Sequence, residues 1–129
     1  MADETEGKPL LAATSEAGVR NALGDSNRAL YFVAEVDRVV AGQTMITPEW
    51  SDWRNGFFWW IQSVYVKQEY RRRGVFRALY RHVASLATQR PDVCGLRLYV
   101  HRNNKTAIET YRNLGMSQTE YLLFEEELR

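Results

Sequence analysis

Three consecutive arginines, Arg71, Arg72 and Arg73, stand directly before Gly74 and an amphipathic run, and that order suits a phosphate or pyrophosphate. A helix that begins here leaves its first backbone N–H groups without intrahelical acceptors and carries the positive end of its macrodipole. The guanidinium groups of the turn, with Arg77 one step into the helix, can add charge-assisted hydrogen bonds to the same anion. Gly74 lets the backbone approach a ligand with no Cβ in the way. Turns before helices also carry glycine and arginine for solubility alone, so a second group of residues has to support the reading. That group is Asn104, Ala107, Ile108, Tyr111 and Leu114, which share one helical face and put a polar amide and a phenol on the same side. The remaining reactive side chains point elsewhere: His82 and His101 read as structural or exposed, and no His, Cys or acidic residues stand at metal-ligand spacing. The single cysteine, Cys94, lies in the apolar run VCGL and reads as a buried strand-end residue, unable to form an internal disulfide.

These groups need elements to hold them. Val64 to Tyr80 reads as a strand, an arginine-rich turn and a helix whose Phe76, Leu79, Val83 and Leu86 face a core while Arg77, Arg81 and Gln89 face away. Leu96 to Val100 reads as a strand, His101 to Asn103 as a polar turn, and the residues to about Leu114 as a short helix capped by Gly115. Upstream, Tyr31 to Val36 and Val39 to Thr47 alternate as two antiparallel strands joined at Asp37-Arg38. Phe57 to Val66 is aromatic and β-branched, apolar on both faces except at Gln62 and Ser63, as expected of a central strand covered on both sides. Pro48 to Gly56 is expected to be a loop, Ser15 to Leu23 a helix ended by Gly24-Asp25-Ser26, and Gln118 to Glu126 a final strand.

With 129 residues, 45% of them hydrophobic and 12% aromatic, the chain suits one domain spanning residues 1–129, about residues 1–14 being the stretch that could lack order. It has no apolar run of membrane-spanning length, and its start, MADETEGKPLLAATSE, has neither the basic nor the apolar region of a signal peptide, so a cytoplasmic location is expected. A net charge of +1 creates no global field for a polyanion. Nucleic acid is therefore the weaker partner, although the arginine turn with nearby aromatics leaves an RNA- or protein-binding module as an alternative.

The arginine turn and the Asn104 to Met116 segment together resemble the GNAT family of acetyl-CoA-dependent N-acyltransferases. The family's cofactor motif, Gln or Arg, any two, Gly, any one, then Gly or Ala, is matched by Arg71, Arg72, Arg73, Gly74 and Val75, and departs at Phe76. A later motif is matched by Asn104, Ala107, Tyr111 and Leu114-Gly115-Met116. The resemblance covers about residues 30 to 125 and implies an α/β (α+β) fold, a mixed and mostly antiparallel central sheet flanked by helices, here with a shortened N-terminus. The family's first strand is missing or reduced to Pro9 to Ala13. Loss of an outer strand would open the hairpin edge to another chain, so a homodimer is expected.

Acetyl transfer needs a neutral amine in line with the thioester carbonyl, a donor for the oxyanion and a proton for the leaving thiolate. The resemblance implies that backbone groups of Val64, Tyr65 and Val66 meet the pantetheine and thioester, and that the N–H groups of Arg72 to Arg77 meet the pyrophosphate of acetyl-CoA. It further implies that Asn104 holds the pantetheine arm, with Ala107 beside it, and that Tyr111 is the general acid. Reference pKa values of about 8.5 for a thiol and about 10 for a phenol make that transfer mildly uphill. No carboxylate stands on the central strand to act as base; Glu35, Glu49 and Asp52 read as solvated charges, and a water chain takes the role. Trp50, Trp53, Asp52 and Arg54 form either a wall for a cationic amine, or an aromatic loop that caps the core or a dimer interface. Beside a primary-amine acetyltransferase, a domain that binds CoA without turnover, as a sensor or subunit, stays open.

Overall fold

A computed structural model describes residues 12–129. The chain runs α1 (Ala12–Leu23), β1 (Leu30–Val36), β2 (Val39–Ser51), β3 (Gly56–Val66), a 3-10 turn (Gln68–Tyr70), α2 (Val75–Gln89), β4 (Val93–Leu98) and α3 (Lys105–Asn113). The strands form one sheet in the order β1-β2-β3-β4, antiparallel except for the parallel β3–β4 pair that the α2 crossover joins. The mixed sheet with flanking helices is the expected fold class.

Side-chain alternation divides the sheet into two faces. On one, Trp59 and Ile61 of β3 and Ile46 of β2 pack against Val83 and Ala87 of α2, with Phe57, Leu96 and Leu98 at the margins. A second cluster, Ala41, Val75 and Leu79, fixes the start of α2 over the β1–β2 hairpin. Burying branched side chains such as Val83, fully enclosed, and Ile46, at 1% exposure, stabilises by about 1.5–3 kcal/mol each and makes α2 the keystone of the core. On the opposite face Phe58 is only 8% exposed, although no helix is needed to cover it. The Arg97 guanidinium lies 3.5 Å over its ring and is held by Glu49 at 2.9 Å. Gly95 makes room, since a Cβ there would come within 2.8 Å of the Phe58 ring.

The β1–β2 hairpin turns at Asp37 and Arg38, both at positive φ (50° and 66°), the two-residue geometry whose twist matches the strands. β2 is longer than expected and takes in Pro48, Glu49, Trp50 and Ser51, which pair with Trp59, Phe58, Phe57 and Gly56. Only 52–55 remain as a loop, because the aromatic run opposite continues the ladder and Trp50 stacks edge-on against Phe57 at 5.0 Å. Pro48 is tolerated because β1 stops pairing at Ile46, so its missing N–H faces away from any strand.

Four further expectations are corrected. α1 starts at Ala12, ahead of Ser15, so residues 12–14 are ordered helix and Ala12 and Ala13 form no strand; residues 1–11, including Pro9 to Leu11, lie outside the described residues. β4 spans Val93–Leu98, so Tyr99 and Val100 leave the ladder. Cys94 is exposed; it sits where Val93 pairs with Phe57 and Gly95 with Phe58, is skipped by the register, and points its thiol at the Phe57 carbonyl, 3.4 Å away. Gln118 to Glu126 forms no strand, and Tyr121, Leu122, Leu123 and Phe124 are 67–91% exposed. Alternation alone does not make a strand where no partner edge is engaged.

Candidate active site

The site begins where the sheet splits. β3 and β4 pair from Phe57↔Val93 to Ile61↔Leu98 and no further. At the same point the β2–β3 register shifts: Ile46 pairs with Ile61 and Met45 with Ser63, so Gln62 is bulged out, its amide donating to the Thr47 hydroxyl at 3.0 Å. Beyond the bulge, Ser63 to Val66 pair with β2 only, from Met45↔Ser63 to Gly42↔Val66. Val64, Tyr65 and Val66, the expected main-chain contacts, therefore line the open side of a wedge, all half-buried. The Val66 carbonyl is already committed, because Arg71 Nε donates to it at 2.9 Å.

The arginine turn closes one end of that wedge. Arg72 (φ 65°) and Gly74 (φ 78°) are both left-handed, and Gly74 caps α2 with no side chain. The first intrahelical bond of α2 runs from Ala78 N to Gly74 O at 3.0 Å, so the N–H groups of Val75, Phe76 and Arg77 have no acceptor within the helix. A Cβ on Gly74 would meet no protein atom within 4 Å: the space in front of it is open. Arg72 has a conventional side chain in a conformation that costs roughly 1–2 kcal/mol, a cost the turn bears to set the direction of these amides. Gly42 fixes the depth, since a Cβ there would lie 2.9 Å from Val75 Cγ1 and 3.0 Å from the Tyr65 carbonyl oxygen. The start of α2 thus rests on bare backbone.

The arginines divide their work. Arg71 braces the end of β3 and lies 5.6 Å over the Tyr65 ring; Arg73 lies 5.3 Å over Tyr70; Arg72 and Arg77 are exposed at the helix start. The three N–H groups of Val75, Phe76 and Arg77, with the exposed guanidinium groups of Arg72 and Arg77 at the same helix end, make a cradle for a diphosphate, so the residues present fit the group expected there.

Phe76, the departure from the family motif, does not turn onto the sheet. Its ring meets Tyr111 at 5.8 Å, edge to face, and Tyr80 at 6.2 Å, and so joins α2 to α3. Tyr111 is half-buried by this contact, and burial pushes its phenol above the usual tyrosine value, as it does for Tyr80. Asn104 is the N-cap of α3, its Oδ1 accepting from Ala107 N at 3.2 Å, which ties two predicted site residues to one turn. The amide nitrogen of Asn104 stays available to a ligand carbonyl.

Past the paired stretch of β3 and β4, at the end of β3 away from the wedge, Trp53 is 87% exposed, Trp50 54% exposed, and Arg54 lies 4.9 Å over Phe58. The structure does not bring Asp52 or Glu35 to the splay; Asp52 Oδ1 accepts from Trp53 N in its own loop, and Glu49 is engaged by Arg97. Sequence reasoning missed the stacked pair Trp60–Tyr99, centroids 4.4 Å apart, which straddles the last rung before the split, Ile61↔Leu98. It also missed Arg97, whose signal was its place between Leu96 and Leu98: a charge inside an apolar strand needs a partner on the opposite face. No group of three or more potential metal ligands occurs among the described residues.

Comparison with known proteins agrees with this geometry. None of the curated proteins searched matches the chain. Among solved structures, a possible acetyltransferase from Clostridium difficile 630 is 43% identical, with 99% of this chain and 84% of that chain covered and a TM-score of 0.92. An aminoglycoside acetyltransferase from an uncultured soil metagenomic sample, in complex with sisomicin, shares the fold at 14% identity, 88% and 74% coverage and a TM-score of 0.76. Aminoglycoside N-acetyltransferase AAC(6')-Iy, in complex with CoA, does so at 18% identity, 89% and 87% coverage and a TM-score of 0.71. The model of the acetyltransferase (GNAT) family matches residues 3–116, and the chain is a member of that family.

Proposed function

We propose that the protein transfers an acetyl group from acetyl-CoA to a primary amine by direct attack within a ternary complex, as a cytoplasmic homodimer. The observation that carries this reading is the split between β3 and β4 after Ile61 and Leu98, with the amides of Val75, Phe76 and Arg77 at one end of it. An extended thiol arm can lie along Val64 to Val66 in place of the missing strand, with its diphosphate on the start of α2. Asn104 reaches the arm from the far side, and Tyr111 keeps its proton at neutral pH and supplies it to the departing thiolate. The acceptor is then deprotonated by solvent, since β3 carries no carboxylate. That CoA is found in complex with a protein of this fold, itself an aminoglycoside N-acetyltransferase, supports both the donor and an amine acceptor.

A CoA-binding domain without turnover is the second reading, favoured by the absence of a carboxylate on β3. Calorimetric titration with acetyl-CoA and CoA, followed by a thiol-release assay against a panel of amines, separates the two. Micromolar binding with amine-dependent thiol release supports the transferase, binding without release supports the sensor, and no binding refutes both.

A further inference from the structure

β3 and β4 carry a column of stacked side chains on the face of the sheet opposite α2. Trp59, Ile61, Leu96 and Leu98 belong to the core under α2, so the alternating Trp60, Arg97 and Tyr99 project from the other face. There the Arg97 guanidinium lies 3.5 Å over the Phe58 ring and 5.9 Å from the Trp60 ring, and Trp60 in turn stacks on Tyr99, planes 30° apart. Glu49 holds Arg97 in the column at 2.9 Å. The layers follow the strands toward the split, and the last of them, Tyr99, has left the β4 ladder and is 57% exposed. Beside them Thr47, which pairs with Trp60, and the bulged Gln62 bonded to its hydroxyl are polar and uncharged.

Charge around the column disfavours a cation. Glu49 is the only carboxylate of β2, β3 and β4, and it is committed to Arg97; the residues that follow Tyr99 bring His101, Arg102 and Lys105 before any acid. A protonated acceptor therefore meets on these strands neither an uncommitted anion to hold it nor a base to take its proton. An alkylamine, with a reference pKa of about 10.4, is neutral in only roughly one molecule in a few thousand at pH 7. An amine bonded to an aromatic ring delocalises its lone pair into that ring, so it is flat and is neutral at the same pH.

We propose that the acceptor is an aromatic primary amine, whose ring stacks on Tyr99 as the next layer of the column and whose amino group meets the thioester in the split. This rests on the transferase reading above and names its substrate class. The neutral nitrogen bonds to the thioester carbonyl carbon and the C–S bond breaks. The departing thiolate takes the proton of Tyr111, and the nitrogen loses a proton to water, from which Tyr111 is reprotonated. No base is needed before attack, because the nucleophile binds in its reactive form.

The test is enzyme-dependent thiol release from acetyl-CoA with aniline, benzylamine and cyclohexylamine across pH 6.5 to 8.5, with acetyl-CoA affinity measured by calorimetry in parallel. Benzylamine keeps the flat ring but carries an alkyl-type nitrogen; cyclohexylamine keeps neither property. At pH 7 kcat/KM should be about tenfold or more higher for aniline than for the other two, level with pH for aniline, and rising about tenfold per pH unit for an alkylamine that reacts. In Tyr99→Ala the KM for aniline should rise about three- to tenfold, the worth of one aromatic stack, with acetyl-CoA affinity unchanged, and Tyr99→Phe should keep the original KM. An alkylamine used at pH 7 as well as aniline, or an aniline KM that does not respond to Tyr99→Ala, would overturn the proposal and leave the transferase standing. Acetyl-CoA binding without release from any of the three would also overturn it, whereas no binding would overturn the transferase reading as well.

Discussion

Replacing Gly74 by alanine separates what the turn does for the fold from what it does for a ligand. Gly74 sits at φ 78°, and a Cβ there meets no protein atom within 4 Å, so the substitution creates no clash inside the protein. What remains is the left-handed conformation, which costs an L-residue roughly 1–2 kcal/mol. Reduced freedom of the unfolded chain returns about 0.4–1 kcal/mol of this. A net loss of about 1 kcal/mol corresponds to a fall in Tm of about 3–6 °C for a domain of this length. Gly115 is the matched control: it too is left-handed, at φ 100°, and its Cβ also meets nothing within 4 Å, but it ends α3 far along the chain from the anion cradle. Gly115→Ala should show a Tm loss at least as large. Only in Gly74→Ala does the new methyl enter the space in front of the free amides of Val75, Phe76 and Arg77. Its acetyl-CoA affinity should fall about tenfold or more, about 1.4 kcal/mol, beyond any change seen in Gly115→Ala. The assay is calorimetric titration well below Tm, alongside thermal melts. Equal Tm losses with unchanged affinity in both variants would refute the assignment of this turn to the diphosphate.

Tyr111→Phe should lower turnover with little change in acetyl-CoA affinity, in a thiol-release assay run from pH 7 to 9; unchanged turnover across that range would remove Tyr111 as the acid. Because burial raises the pKa of Tyr111 and Tyr80 above their unfolded value of 10.0, their contribution to stability is fully present below pH 10 and is lost as pH rises through the folded values. Alkaline unfolding followed by circular dichroism should accordingly move to higher pH in Tyr111→Phe, once its stability at pH 7 is taken as the baseline. Arg97→Ala should cost about 1–2 kcal/mol in urea unfolding, as it uncovers the Phe58 ring, whereas Glu49→Gln, at a more exposed end of the same pair, should cost less than about 1 kcal/mol. Gly42→Ala should destabilise by about 1–3 kcal/mol through overpacking at Val75 Cγ1, and adding Val75→Ala should return part of that loss, a coupling absent if the helix start does not rest on Gly42.

The anion cradle was legible because it is local: a strand, a turn with glycine and a helix are contiguous in the chain, and Gly74 is left-handed where the reading needed it. The hairpin at Asp37-Arg38 was legible for the same reason. Non-local partners decide the features that were misread. β2 runs past Pro48 to Ser51 because Phe57 to Trp59 stand opposite and β1 has already ended, neither of which is visible in residues 48–51. Cys94 looks buried in the run VCGL, yet a skipped register position on an outer strand exposes it. Gln118 to Glu126 has the alternation of a strand, but pairing is a property of two edges and only one of them is in that sequence.

The candidate site draws on both kinds of feature. Most of what would meet acetyl-CoA is main chain: the unpaired side of Val64 to Val66, opened by the bulge at Gln62, and the free amides of Val75 to Arg77. Side chains act one step removed. Gly42 sets how closely α2 approaches the sheet, Arg71 ties the end of β3 to the turn, and Phe76 carries Tyr111 on an edge-to-face contact. A phenylalanine in place of a small residue at position 76 is compatible with this plan because the N–H of that residue, and not its side chain, faces the cradle. The price is a dependence of Tyr111 on Phe76: Phe76→Ala should lower turnover through the lost contact while leaving diphosphate binding largely intact, and an equal loss of affinity for CoA and for acetyl-CoA in that variant would show that Phe76 shapes the cradle itself.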